Sequence, residues 1–370
     1  TPLAPVELVP VQQPESVVRA LTRTVLLAGS GDGVVDAAAA GLLAGDEAVV
    51  YAADLPSIRA TGADIADDAP LVITDSNRDR GEQWRGSQDV LGFTESGGPC
   101  ADVTVENTAD QRLAVFPTED EAQQTVARLD GGLVVRASDY GEPFAYRPED
   151  RAAMAVDGDP TTAWLVADRG DPLGQTISLS TTTDGRLVLL QAQVPGASRR
   201  ISQVQVAVGD EAPRLVDLDD SSLTAPGQVL TVTAGVPVTL TITAVTPRAD
   251  GTDPGPSGVG FAELGPVATE WVRPPSAPLA DLGADRPLAL VLTRDRVRAT
   301  DRWRADPEPE LRRVFTLPTD RTFDTTVTLR LDQRAPDATI DAIAGTGGAT
   351  ADRRLTGVPA ARGSSAVDGD

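Results

Sequence analysis

The 370-residue sequence predicts an α/β fold joined to all-β structure: a small N-terminal α/β domain, a discoidin-like antiparallel β-sandwich in the middle, and a further β-sandwich module after it. Three observations carry this expectation. "TVLLAGSGDGVVDAAAAGLLAGDEAVVYAADL" reads as strand, glycine turn, Ala-rich helix and second strand, which is one βαβ unit. From about Ala137 onward, β-branched runs such as "VLTVTAGVPVTLTITAV" alternate with polar turns, with no convincing helix before Pro274. Glycine (34) and proline (29) are plentiful while aromatic residues make up only 4%, a profile of many short strands.

In order, residues 1–17 form a Pro-rich lead-in and residues 18–135 the α/β domain, with strands at Val25 to Ala28 and Ala48 to Ala52 around a helix from Val34 to Leu43. "PLVITDSN", "RLAVFP" and "GLVVRASDY" add strands, and "EDEAQQTVARL" (Glu119 to Leu129) reads as a helix. Residues 136–272 form the sandwich, from "QTISLS", "GRLVLLQAQV", "ISQVQVAVG", "PRLVDL", "QVLTVTA", "PVTLTITAV" and "VGFAELG". "VRPPSAP" (Val272 to Pro278) marks a linker by composition, assigned to residues 273–280. Residues 281–345 are expected to form another β module from "LALVLT", "LRRVFTLP", "TTVTLRL" and "ATIDAI", and 346–370 the start of a further, truncated module.

Every basic residue is arginine, since the sequence has no Lys and no His, and the formal net charge is −23. Such a surface repels nucleic acid and anionic lipid. Without His, the usual general base, triad member and commonest transition-metal ligand are all missing, so chemistry here rests on carboxylates, hydroxyls or arginine. The lone Cys100 makes neither an internal disulfide nor a zinc site. No run of 18 apolar residues occurs and the first residues lack a signal-peptide pattern, so these residues read as soluble, and equally as one piece of a longer membrane protein.

Three constellations carry candidate chemistry. "GSGDG" (Gly29 to Gly33) follows a strand and opens a helix, where a phosphate would sit on free N–H groups. Val34 stands in place of the third glycine of that fingerprint and Asp32 repels an anion, so the same residues also read as a plain βα turn. After the next strand, Asp75, Ser76 and Asn77 precede Arg78, Arg80 and Arg85; the arginines suit an anion or a sugar, while Asp75 or Ser76 equally caps a following helix. In "MAVDGDPTT", oxygens of Met154, Asp157, Asp159 and Thr162 can converge on a hard cation across a tight glycine turn. One more carboxylate is needed to close that site, and an Asx turn has the same spelling.

"RPEDRAAMAVDGDPTTAW", "GQTISLS", "RLVLLQAQV" and the closing "GVGFAELG" resemble a discoidin, or coagulation factor 5/8 type C, domain, the fold of family 32 carbohydrate-binding modules. The resemblance covers residues 137 to about 270. It implies a structural calcium held by the carbonyl of Met154, by Asp157, Asp159 and Thr162, and by Ala262 with Glu263 from the last strand. Glu263 would then be the missing carboxylate, and Trp164 a core residue. Sugar contacts in such modules come from variable loops, which makes Tyr140, Phe144, Tyr146 and Arg169 the candidates here, against packing and surface charge as their ordinary roles.

Over its whole length the chain is similar to the soluble region of actinobacterial α-(1→3)-arabinofuranosyltransferases of the D type. "VLLAGSGDGVVDAAAAGLL", "LVITDSNRDRGEQW", "DPEPELRRVFTLP" and "LTGVPAARGSSAVDGD" carry that similarity beside the discoidin-like block. It implies a non-catalytic, carbohydrate-binding portion on the extracytoplasmic face of the plasma membrane. There it would hold a cell-envelope arabinan or arabinogalactan acceptor near a membrane-embedded transferase domain of the same polypeptide, which uses a polyprenyl-phosphate arabinose donor. No catalytic residue is carried over. Two other readings stand beside it: a glycoside-active enzyme using paired carboxylates, and a purely structural or protein-interaction module. The last residues, "SSAVDGD", repeat the centre of the calcium-loop motif; with no downstream Thr and no closing Ala-Glu, Asp368 and Asp370 are expected to bind no metal.

Overall fold

The computed structural model describes residues 21–63, 65–77, 114–118, 123–141, 147–167, 170–182, 184–193, 199–247, 258–276, 285–296, 306–317, 319–329, 332, 335–355, 358–367 and 369. In chain order the first strands are β1 (Thr24–Ala28), β2 (Ala48–Tyr51), β3 (Leu71–Thr74), β4 (Val126–Leu129) and β5 (Val135–Ala137). Then follow β6 (Trp164–Val166), β7 (Thr176–Leu179), β8 (Arg186–Gln191), β9 (Arg199–Val208) and β10 (Arg214–Asp217). The last are β11 (Gln228–Thr231), β12 (Val238–Pro247), β13 (Val259–Glu263), β14 (Glu270–Arg273) and β15 (Leu288–Val291). The α-helices are α1 (Gly31–Ala39), α2 (Leu55–Ala60) and α3 (Asp337–Ala344).

β1 and β3 are buried on both faces, which is why they read as continuous apolar runs rather than alternating ones. They sit at the centre of a four-stranded parallel sheet in the order β15-β3-β1-β2, with α1 packed over it through Gly33 and Ala37. The sheet corrects the expected layout, because "LALVLT" does not open a separate β module. As β15 it pairs in register with β3, Leu288 opposite Leu71. A four-residue apolar strand has the same local pattern whichever sheet receives it, and the buried edge of β3 was open to take it.

The sandwich lies between those two parts of the chain. Its sheets are five-stranded, β10-β9-β12-β7-β5, and four-stranded, β11-β8-β13-β6, with antiparallel pairing throughout. Alternating residues of both sheets form one core around Trp164, Phe261, Leu187, Leu189, Ile201 and Leu240. The rings of Trp164 and Phe261 stack with centroids 6.2 Å apart, and the Trp164 indole N–H donates to the Asp139 carbonyl at 2.8 Å. Gln191 on β8 spans the two sheets: its amide oxygen accepts the Ile201 N–H of β9 at 2.9 Å, and its amide nitrogen donates to the Ile201 carbonyl at 3.0 Å. Those bonds satisfy a polar group that would otherwise be costly in the core.

Three further expectations are corrected. The C-terminal part of the expected 119–129 helix is strand β4, paired antiparallel with β14 just after the sandwich; that pairing overrides a helical period that the sequence carries only weakly. "ATIDAI" is helical, as α3, not a strand. Pro336 precedes its first turn, and Gly345 ends it in the left-handed region (φ 68°). "LRRVFTLP" and the described part of "TTVTLRL" form no sheet of their own. Among the described residues their one bridge is Val272 to Arg313, and Val327 and Leu329 are exposed. Among the described residues no helix is long and apolar enough to cross a membrane.

Candidate functional site

The loop from Ala152 to Thr162 is shaped by its own backbone. A single 3-10 turn, Ala152–Ala155, ends at Val156 (φ −140°, ψ 11°), and Gly158 follows in the left-handed region at φ 81°. A Cβ at Gly158 would also stand 2.8 Å from Val267 Cγ1, so the position demands glycine on two counts. Past this turn Asp157 folds back on the loop: one carboxylate oxygen accepts the Asp159 N–H at 2.9 Å, and the other lies 2.7 Å from the Thr162 hydroxyl. That hydroxyl is also 2.8 Å from the Asp159 carbonyl oxygen, and its single proton serves one of the two acceptors at a time. The Asp159 side chain accepts from both the N–H (2.9 Å) and the hydroxyl (2.6 Å) of Thr161.

The end of β13 closes over this loop. Leu264 N–H donates to the Ala155 carbonyl and Ala268 N–H to the Val156 carbonyl, both at 2.7 Å. A bulge between Phe261 and Glu263 takes the buried Ala262 out of register with β8 and turns the strand end toward the loop. Glu263 is thereby brought beside Asp157. Both of its carboxylate oxygens are buried without a hydrogen-bond partner. Burial first, and then the negative charges of Asp157 and Asp159, push the Glu263 carboxyl up to about 7; the nearby Gly158 N–H opposes the rise without hydrogen-bonding to it. Burial also raises Asp157, whereas the Thr161 hydroxyl and N–H hold Asp159 below the usual carboxylate range.

Arg151 anchors the start of the loop. It is buried, pairs through its guanidinium with Glu270 of β14 and donates to the Pro148 carbonyl at 2.6 Å. The two segments that carry the sequence candidates are thus bonded to each other, with Met154, Asp157, Asp159 and Thr162 on the loop and Ala262 and Glu263 on the strand that closes it. All of their donors are hard oxygens, the set a calcium ion takes. The acidic side chains do not approach as a ready-made cluster: among the described residues no group of three His, Cys, Asp or Glu side chains is poised around one point. The observation that fits a cation is the orphaned, buried carboxylate of Glu263 beside Asp157.

Of the sugar-contact candidates, Tyr140 is only 6% exposed and belongs to the sandwich core, so its ring is not open to stack on a sugar. Phe144, Tyr146 and Arg169 lie outside the described residues, as do Arg78, Arg80, Arg85, Asp368 and Asp370. Beside the Arg169 position, Ala167 is left-handed (φ 58°), and Arg199 of β9 donates to the carbonyls of Ala167 (2.6 Å) and Gly170 (2.9 Å). Ala167 thus holds a conformation few non-glycine residues adopt.

In the α/β sheet the glycine turn is filled by the protein itself. Ser30 N–H donates to the Ser76 hydroxyl at 3.1 Å, and that hydroxyl is 2.7 Å from Thr74 Oγ1. A Cβ at Gly29 or Gly33 would stand 2.1 or 2.5 Å from Thr74 Oγ1. These glycines let α1 close onto β3, the role of the plain βα turn. A helix following Asp75 would lie outside the described residues. The Asp75 carboxylate accepts the Thr293 N–H at 3.0 Å and pairs with Arg313 Nε at 2.5 Å. Asn77 donates to Gln124 at 2.5 Å. Sequence reasoning missed Arg313; the one signal was an arginine pair just after the acidic "DPEPE", in a segment to which no side-chain role was given.

No protein-family profile matches the sequence, and no curated protein is significantly similar to it. Among solved structures the chain is similar to the arabinofuranosyltransferase AftD from Mycobacteria. For a single-residue mutant of that protein, in each of two classes, the TM-score is 0.51 at 18% identity, over 80% of this chain and 24% of the other. A family 32 carbohydrate-binding module of NanJ from C. perfringens, solved with galactose, aligns with 39% of this chain and 99% of its own at 16% identity and a TM-score of 0.26. The chain therefore shares its fold with part of AftD and spans about a quarter of that structure's length.

Proposed function

We propose that this chain is a non-catalytic, carbohydrate-binding portion of a membrane arabinofuranosyltransferase of the cell envelope, carrying one structural calcium in its central sandwich. The observation that carries the reading is the closure of the Asp157 loop by Glu263 at the end of a discoidin-like sandwich, within a chain whose fold is that of part of AftD. Asp157, Asp159 and Thr162, the carbonyls of Met154 and Ala262, and Glu263 would hold the ion. Bound there, calcium supplies charge that cancels the repulsion between Glu263 and Asp157.

The division of labour follows from the surface. With no His and a net charge of −23, the chain suits a neutral glycan better than an anionic lipid or nucleic acid. Holding an arabinan or arabinogalactan acceptor beside a membrane-embedded transferase on the extracytoplasmic side would raise its local concentration at that active site. The rival reading, a glycoside-active enzyme using paired carboxylates, is poorly served by Glu263, because a general acid must reach the glycosidic oxygen and both Glu263 oxygens are buried.

A glycan array that includes arabinan and arabinogalactan fragments, read with and without chelator, tests the proposal. Binding to a pentose polymer supports it, and binding to none overturns it. Turnover of aryl glycosides by this chain alone would favour the enzyme reading instead.

A further inference from the structure

Two clusters of buried charge flank β14. On the sandwich side Arg151 heads the Asp157 loop: its carbonyl accepts the Met154 N–H at 3.0 Å, and its buried guanidinium pairs with Glu270. On the other side the buried Arg313 pairs with Asp75 at 2.5 Å and with Glu308 at 3.0 Å, and donates to the Thr293 carbonyl. Thr293 returns its N–H to Asp75 at 3.0 Å. This second cluster therefore fastens together the chain just past β3 and β15, at the carboxyl edge where open α/β sheets place their ligands.

Residues 268–273 touch both clusters in turn. Ala268 N–H donates to the Val156 carbonyl of the loop at 2.7 Å. Glu270 takes Arg151, and two residues later Val272 bonds on either side of Arg313, its N–H to the Arg312 carbonyl (3.0 Å) and its carbonyl to the Val314 N–H (3.1 Å). Glu270 also feels both ends electrically. Burial raises its carboxyl, Arg151 opposes the rise, and the negative charges of Glu308 and Asp157 add to it. Arg151 in turn attracts Asp157, so one guanidinium is drawn toward two carboxylates.

We propose that β14 is a coupling strap: neutralising Asp157 with a bound cation tightens the Arg151–Glu270 pair and, through Val272 and Arg313, the carboxyl edge of the parallel sheet. The inference rests on the calcium reading for its trigger. A divalent cation beside Asp157 cancels the charge that repels Glu270 and competes for Arg151, which leaves the guanidinium to Glu270. Buried charges are screened far less by salt than surface ones. Coupling of this kind is reciprocal, so the state of the sheet edge also sets the affinity of the loop for its ion.

The test uses the 370-residue chain, with calcium affinity measured by calorimetry and opening of the sheet edge by amide exchange at Thr293 relative to Leu26 in β1. In the wild type, calcium slows exchange at Thr293 about fivefold or more compared with chelator. Glu270→Gln touches no proposed ligand, yet it abolishes that slowing and weakens calcium binding about fivefold or more; Arg313→Lys, at the far end of the strap, also weakens it. Asp157→Asn removes the same charge without any metal and slows Thr293 exchange in chelator. Calcium binding that leaves Thr293 exchange unchanged, or a calcium affinity indifferent to Glu270→Gln and Arg313→Lys, overturns the strap alone. If the wild type binds no calcium, the calcium reading falls, and the strap stands or falls on whether Asp157→Asn slows Thr293.

Discussion

Asp75, in the loop after β3, and Arg313, 238 residues later, form a buried ion pair at 2.5 Å, with the two side chains 0% and 3% exposed. The same guanidinium reaches Glu308 at 3.0 Å, so one cation neutralises two buried carboxylates. Arg313 also belongs to a strip bonded to β14, through Val272 N–H to the Arg312 carbonyl (3.0 Å) and Val314 N–H to the Val272 carbonyl (3.1 Å). A single side chain therefore ties the parallel sheet to the strand that leaves the sandwich. Arg313→Met is expected to cost about 3–5 kcal/mol, because it removes a guanidinium shared by two desolvated acids rather than merely deleting a contact. Arg313→Lys should recover little, since an ammonium cannot serve both carboxylates with a planar fork. Denaturant unfolding reads both variants, and a loss under about 1 kcal/mol for Arg313→Met would contradict this account.

For Glu263 the metal-free and calcium-loaded proteins should respond oppositely. Its folded pKa of about 7 lies above the ordinary 4.5, so the folded state binds the proton more tightly than the unfolded state does. Stability then falls as pH rises from 4.5 to 7, and above 7 the ionised carboxyl is a standing cost, about 1–2 kcal/mol once its partial exposure to solvent is discounted. Glu263→Gln should accordingly raise the melting temperature in chelator at pH 8 and flatten that pH dependence. With calcium at about a hundred times its dissociation constant the wild type gains about 2.7 kcal/mol, and Glu263→Gln should gain far less. Identical melting curves with calcium and chelator in the wild type would remove the metal from the proposal.

Gly33 sets two effects against each other. Alanine favours a helix by up to about 1 kcal/mol, but its Cβ would lie 2.5 Å from Thr74 Oγ1 and 2.8 Å from Ser76 Oγ. Thr74 is fully buried in β3 and has little room to yield, so Gly33→Ala is expected to destabilise by about 1–3 kcal/mol. Thr74→Ala in the same chain should relieve part of that loss, giving a strongly non-additive double-mutant cycle. Additive losses would mean that the helix does not rest on Thr74.

The same contrast between local pattern and distant partner decides what could be read from sequence. β1, α1, β2 and β3 were legible because each carries its own period and its punctuation, Gly29 to Gly33 above all. The sandwich strands were legible as regularly spaced β-branched runs, whereas Glu263 was singled out only by the resemblance to a discoidin domain. β15 was recognised as a strand and assigned to the wrong sheet, since nothing within "LALVLT" records that its partner is Leu71 to Thr74. Arg313 was invisible for a related reason: an arginine reads as surface until the fold brings Asp75 and Glu308 to it. α3 was a different failure, because Pro336 and Gly345 announced a helix that the β-rich context obscured.

Asp341 makes the C-terminal turn sensitive to acid. The Ser364 hydroxyl, and after it the Arg362 guanidinium, hold its carboxyl below the usual 3.8. A depressed folded pKa contributes stability that is present in full above the unfolded value and is lost as pH falls through the folded one. The turn at 359–367 should therefore stay closed at neutral pH and loosen progressively below about 3.8. Asp341→Asn is expected to reproduce the loosened state at pH 7, since an amide cannot pair with Arg362, and to remove the acid response. Amide exchange at Ser365 and Val367 reads the turn, and the Trp164 indole reads the sandwich from inside its core. If Asp341→Asn left exchange at those two amides unchanged at pH 7, the turn would owe its shape to its own backbone rather than to α3.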